Sequence, residues 1–189
     1  MELREQRFGI EIEMTGITRA GAAKVAATYF GTRSEYVGTY YQTYAAVDQE
    51  GRQWKFMSDG SIRAEKKVNG EKRAAGAVYR TEMVSPICRY EDIEKIQELI
   101  RELKKKGAIV NESCGIHVHI DASPFDAGKL RNLTNIMAAK EDLIYKALGV
   151  SVERQHRWCR PVEERFLEEL NRRRPTSMEA VEEIWYNGR

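Results

Sequence analysis

Three short segments of this chain alternate with a period of two. RFGIEIEM at 7–14 sets Phe8, Ile10, Ile12 and Met14 against Gly9, Glu11 and Glu13. VYRTEMVS at 78–85 sets Thr81 and Met83 against Arg80 and Glu82, and CGIHVHID at 114–121 sets Ile116, Val118 and Ile120 against His117 and His119. That period belongs to a strand with one buried face, because residues two apart on a strand point to the same side. The chain must therefore build a sheet.

The rest of the pattern supplies helices and turns. Thr18 is a natural cap for a helix over RAGAAKVAATYF, with Gly31 as its stop. Residues 36–47 are rich in tyrosine, threonine and valine and should be extended. DQEGRQ at 48–53 reads as a turn into a strand at 54–58, and SDGS as a second turn. The polar run at 63–76 reads as a mobile loop. The spacing of Ile93, Ile96, Leu99, Ile100 and Leu103 predicts a helix over 90–106, with acids leading and lysines closing it before Gly107. AIVN and GIHVHID read as strands. Ser123–Pro124 reads as the start of a helix carrying Leu130, Leu133, Met137, Ile144 and Leu148. The last forty residues read as basic helices broken at Pro161 and Pro175. The expected fold is α+β, a mainly antiparallel sheet with helices packed on one face, in a single domain over 1–189.

Glu11 and Glu13 hold two like charges side by side on one strand face. Left alone they repel and one pKa rises; a divalent cation, magnesium by its preference for oxygen, removes that cost. His117 and His119, two of only three histidines, share a strand face in the same way. A solvated strand face is the plain alternative for either pair. Cys114 near His117, with His156 and Cys159 as a second pair, raises a zinc reading, although the spacing matches no standard site. Cys114 as a nucleophile beside a histidine base is a further option. Lys55 is a candidate point charge for a phosphate. Glu82 is an acid on an alternating strand, while Asp59 and Asp121 occupy turns.

The order RFGIEIEM, WKFMSDGSI, YRTEMVSPI, CGIHVHID resembles the amidoligase family, a branch of the carboxylate–amine ligase superfamily related to glutamine synthetase and glutamate–cysteine ligase. The resemblance spans about residues 7–150. It implies a glutamine-synthetase-like catalytic sheet that cups ATP and Mg2+, and ATP-dependent joining of a small-molecule or peptide carboxylate to an amine. By motif, it implies Glu11, Glu13, Glu82 and His119 as metal ligands. It implies Lys55, His117 and His119 beside the nucleotide, and Lys55, Glu82 and His117 as the catalytic set. Asp59 falls in the same motif as Lys55. Family members carry a later strand of the type T-[VI]-E-F-R, and no such segment occurs in these 189 residues. The expectation is a sheet lacking its C-terminal strands, its site completed by a further segment or a partner, or else inactive. The alternatives are a zinc-binding hydrolase or structural zinc protein using His117 and His119, and a non-catalytic nucleotide-binding module.

Charge narrows the partners. Lysine and arginine number 31 against 29 acids, a net charge of +2. So near a balance gives no global pull toward nucleic acid or an anionic membrane. The basic run NRRRP at 171–175 has no aromatic platform beside it. No stretch reaches the roughly 20 apolar residues of a membrane span, the N-terminus is charged where a signal peptide is apolar, and three scattered cysteines suit a reducing compartment. A cytoplasmic protein without nucleic-acid or membrane partners is expected.

Overall fold

The computed structural model describes residues 2–187. The chain divides into two compact units, 1–121 and 122–189, and each is described by itself.

The first unit is built on a six-stranded sheet. Its strands are β1 (Phe8–Met14), β2 (Ser34–Gly38), β3 (Thr43–Val47), β4 (Gln53–Met57), β7 (Thr81–Val84) and β8 (Ile116–Ile120). They lie in the order β2-β3-β4-β7-β1-β8, and every neighbouring pair is antiparallel. The unit also holds helices α1 (Arg19–Phe30) and α2 (Asp92–Lys105). The fold is α+β, as the alternation and helical spacings predict.

The caps of α1 are those read from the sequence. Thr18 accepts a hydrogen bond from the Gly21 N–H, and Gly31 ends the helix at φ 69°. Its inner face is almost all alanine: Ala22, Ala23 and Ala26 are fully buried. Side chains this small let the helix lie close to Trp54, Phe56 and Met83, which are equally buried. Leu99 and Leu103 of α2 join the same core. Because these strand residues alternate with Lys55 and Glu82, the helices cover one face of the sheet only, and the acidic face is left uncovered by them.

A charged network ties the β3–β4 hairpin to α2. The buried Asp48 accepts from the Trp54 indole at 3.1 Å and from the Arg52 Nε at 2.9 Å. The Arg52 guanidinium also grips Asp92, at the start of α2, through bonds of 2.8 and 2.7 Å. This Arg52 hydrogen bonding holds the Asp92 carboxyl down at about 2.

Three local expectations are corrected. Residues 63–76 are not an open loop but contain a hairpin, β5 (Glu65–Val68) and β6 (Glu71–Ala74). Asn69 and Gly70 both have positive φ, 53° and 86°, the conformation that an Asn-Gly hairpin turn requires. The hairpin is pinned to the end of β1, where the Thr15 hydroxyl donates to the Glu65 carbonyl and accepts from the Glu65 N–H, each at 2.8 Å. AIVN forms no full strand; Ile109 alone bridges to Thr15. The helix foreseen at Ser123–Pro124 starts later, as α3 (Ala127–Leu148), because Asp126 caps it by accepting from the Lys129 N–H at 2.8 Å.

The apolar side of β8 also differs from expectation. Ile116, Val118 and Ile120 are exposed. β8 is an edge strand, and α1 packs on β2, β3, β4 and β7 instead.

The second unit is helical: α3, α4 (Val152–Arg157), α5 (Glu164–Arg173) and α6 (Met178–Asn187). Pro161 and Pro175 fall between helices, as expected. Phe166, Leu170, Val181 and Ile184 form its core with Ala127. Asn135 and Asn171 exchange amide hydrogen bonds of 3.0 and 2.8 Å between α3 and α5. No helix among the described residues is long and apolar enough to cross a membrane.

Candidate active site

Register decides which polar side chains share a face. In an antiparallel sheet, directly opposed residues point to the same side. Glu13 lies opposite Glu82, and Glu11 opposite Val84. Val84 in turn lies opposite Lys55. Glu11 is opposed on its other side by His117, and Gly9 by His119. Glu11, Glu13, Lys55, Glu82, His117 and His119 therefore all stand on the face away from the helices.

The tightest group on that face is a carboxylate trio. Oxygens of Glu13, Asp59 and Glu82 lie within 4.8 Å of one another. Glu13 is buried, and its Oε2 accepts from the Gly115 N–H at 2.6 Å. Asp59 arrives from the turn after β4. That turn is held by the Ser58 N–H donating to the Tyr41 carbonyl at 2.9 Å, and by the Ser61 N–H donating to Asp59 Oδ1 at 2.6 Å. Glu82 bears the cost of the crowding. Burial, and then the charges of Glu11, Asp59 and Glu13, push its carboxyl up to about 7 from an ordinary 4.5.

Glu11 and the imidazoles form a second group beside the trio. His119 Nε2 is 3.3 Å from Glu11 Oε1, His117 Nδ1 is 3.7 Å from Glu11 Oε2, and His117 Nε2 is 3.8 Å from Glu13 Oε1. A cavity of about 360 Å³ opens next to Glu11 and His119, bounded by Val84, Ile87 and Ile120. Gly9 leaves it open: a Cβ there would meet only the His119 Cβ, at 3.9 Å. Arg7 and Asp121, paired at 2.6 Å, also line it. Lys55 is exposed on the same face and makes no side-chain hydrogen bond or ion pair among the described residues.

The donor set of the trio is all oxygen. Crowded carboxylates raise one another's proton affinity, and a hard dication relieves that repulsion while matching oxygen ligands. The residues thus fit magnesium. They do not gather as a zinc site: among the described residues, no three histidine, cysteine or acidic ligands that include a cysteine come together. His156 and Cys159 belong to the second unit. The Cys114 thiol is pushed up by burial, which opposes use as a nucleophile.

A family model described as "Putative amidoligase enzyme" matches residues 4–189. The chain belongs to that family. No curated protein and no solved structure matches it.

Within this amidoligase-family chain, the residues picked from sequence sort into two neighbouring groups rather than one ligand set. Glu13 and Glu82 meet in the trio, while Glu11 and His119 meet in the carboxylate–imidazole group. Asp59, left without a firm role by the sequence, is the third member of the trio. Its only sequence signal is an acid in a tight S-D-G-S turn directly after a strand, which many turns share. Asp121 is tied to Arg7 where β8 ends.

Proposed function

We propose that this chain is an ATP- and magnesium-dependent ligase that joins a carboxylate to an amine through an acyl phosphate. The observation that carries the reading is the trio of Glu13, Asp59 and Glu82, on the sheet face shared with Glu11, His117, His119 and Lys55. A carboxylate is a poor acyl donor because oxide would have to leave. Attack of its oxygen on the γ-phosphorus of ATP releases ADP and makes an acyl phosphate. An amine then attacks the acyl carbon, phosphate leaves, and the nitrogen loses a proton. Both steps bring anions together, so positive charge must be in place beforehand.

Glu13, Asp59 and Glu82 are the groups to hold magnesium, with Glu11 and His119 beside them. When bound, the cation neutralises and aligns phosphate oxygens. Lys55 contributes a mobile point charge for the phosphates. His117 and His119 offer N–H donors to phosphate oxygens, and Glu11 and Glu13 fix how the two rings are turned. The cavity over Gly9 adjoins the His119 imidazole and offers the nucleotide aliphatic walls.

Calorimetry with magnesium and a non-hydrolysable ATP analogue tests this. The wild-type chain should bind the analogue, and a Glu11→Gln, Glu13→Gln variant should bind it at least about tenfold more weakly. Equal binding by both sinks the metal assignment. Hydroxylamine as amine surrogate should trap the acyl phosphate as a hydroxamate only when ATP and a carboxylate are both present.

A further inference from the structure

Arg19 opens α1 and is almost wholly buried, with 4% of its surface exposed. A cation at that place works against stability twice. It lies at the positive end of its own helix, and it is withdrawn from water. Its acceptors among the described residues are all neutral. Nη1 donates to the Ala77 carbonyl at 2.9 Å and to the Arg80 carbonyl at 3.0 Å, and Nη2 donates to Gln42 Oε1 at 2.5 Å. Its Nε is buried with no hydrogen-bond partner. Burial accordingly pulls its pKa down.

What this arginine touches are the stems of two site carboxylates. Gln42 is the last residue of the turn between β2 and β3. Just before it, the Tyr41 carbonyl accepts from the Ser58 N–H at 2.9 Å, and Ser58 directly precedes Asp59. The paired register of β3 and β4 ends at Tyr44 and Phe56, so this bond lies beyond the ladder and ties the Asp59 turn to the hairpin tip. The tip itself is strained. Thr39 has φ 75° and Gln42 φ 49°, a backbone that residues other than glycine seldom adopt, and such strain persists only where surrounding contacts hold it.

The second stem is that of Glu82. Arg80 directly precedes Thr81, the first residue of β7, and Glu82 follows. The Arg80 N–H donates to the Ala77 carbonyl at 3.1 Å, so Arg19 grips both ends of this small turn. Thr81 Oγ1 donates to the Ile17 carbonyl at 3.0 Å. The approach to β7 is thus fastened to residues 17–19 by two side chains.

We infer that Arg19 is a positioning residue for the carboxylate trio. One buried guanidinium fixes the turn that delivers Asp59 and the strand start that delivers Glu82, and so sets the separation of the two carboxylates. The consequence for metal binding rests on the ligase reading above. A planar fork with donors on more than one side suits such a tie. A lysine ammonium is a single point and cannot reach the same three acceptors at once.

The test compares variants of the full-length chain by Mn2+ titration, at a temperature where circular dichroism shows each of them folded. Gln42 is exposed, so changing it leaves the core intact. Gln42→Met keeps the reach of the side chain and removes the acceptor, while Gln42→Glu keeps an acceptor for Arg19. Gln42→Met should bind Mn2+ about tenfold more weakly than wild type, and Gln42→Glu at least as tightly as wild type. Arg19→Lys, which loosens both stems, should lose more than Gln42→Met. A merely structural arginine would lower unfolding temperatures and leave the affinities alike; that result, or an equal loss in Gln42→Glu, overturns the assignment. Hydrogen exchange of the Ser58 amide in the metal-free protein separates this inference from the ligase reading. It should quicken in Gln42→Met and not in Gln42→Glu. If wild type binds no Mn2+ while that exchange pattern holds, the metal reading fails and the positioning role stands. Unchanged exchange in Gln42→Met overturns the positioning role.

Discussion

Glu82 is the residue at which the site's electrostatics are most exposed to measurement. Its folded carboxyl sits at about 7, against an ordinary 4.5. Between those values the folded chain holds a proton that the unfolded chain has released. Stability of the metal-free protein should therefore fall as pH rises from about 4.5 to about 7 and level off above. A dication must displace that proton, so its affinity should change in the opposite sense. Mn2+ binding should be about tenfold tighter near pH 8 than near pH 6. Glu82→Gln should flatten the stability profile and lose the ion. Denaturant midpoints and Mn2+ titrations across that range check both, and a pH-independent affinity would remove Glu82 from the metal site.

Among the elements, the contact between the β3–β4 hairpin and α2 carries the heaviest charge burden. Asp48 is almost wholly buried and Asp92 nearly so, and Arg52 serves both. Taking away the shared cation leaves two carboxylates out of water with one neutralising group fewer. Arg52→Ala should cost about 3–5 kcal/mol in urea unfolding, far more than a surface ion pair. The network is also acid-sensitive: Asp92 sits at about 2, below its ordinary 3.8. Its contribution is complete above that ordinary value and is lost as pH falls through about 2. Arg52→Ala should abolish this acid limb, and a variant as stable as wild type would contradict the account. The same scale shows why close approach was hidden in the sequence. Gly16 has φ 80°, and a Cβ on it would lie 2.4 Å from the Gly107 carbonyl oxygen. Nothing in the residues around 16 announces that the end of α2 returns there.

At the scale of the whole molecule, every residue assigned to the acidic face lies in the unit 1–121, which has its own core. A fragment ending at Asp121 should fold cooperatively and bind Mn2+ as the full chain does. Calorimetric unfolding and a Mn2+ titration of the fragment measure this; a fragment that folds but does not bind Mn2+ would contradict it.

What the sequence determined alone was periodic or local. Alternation in RFGIEIEM, YRTEMVS and GIHVHID marked the strands and their polar sides, because strand geometry fixes side-chain direction from spacing alone. Thr18 and Gly31 delimited α1, because capping is satisfied within a few residues. The Asn69–Gly70 turn is equally local, but the charged residues on both sides of it lack the apolar alternation that marks strands. The tertiary structure decided what depended on neighbours distant in the chain. It set Glu13 against Glu82, brought Asp59 in from its turn, and divided the expected ligands into two groups. Spacing gives a residue its side of a strand, but which carboxylates come within a few ångströms depends on register between strands, and register is settled by packing of the whole sheet against its helices.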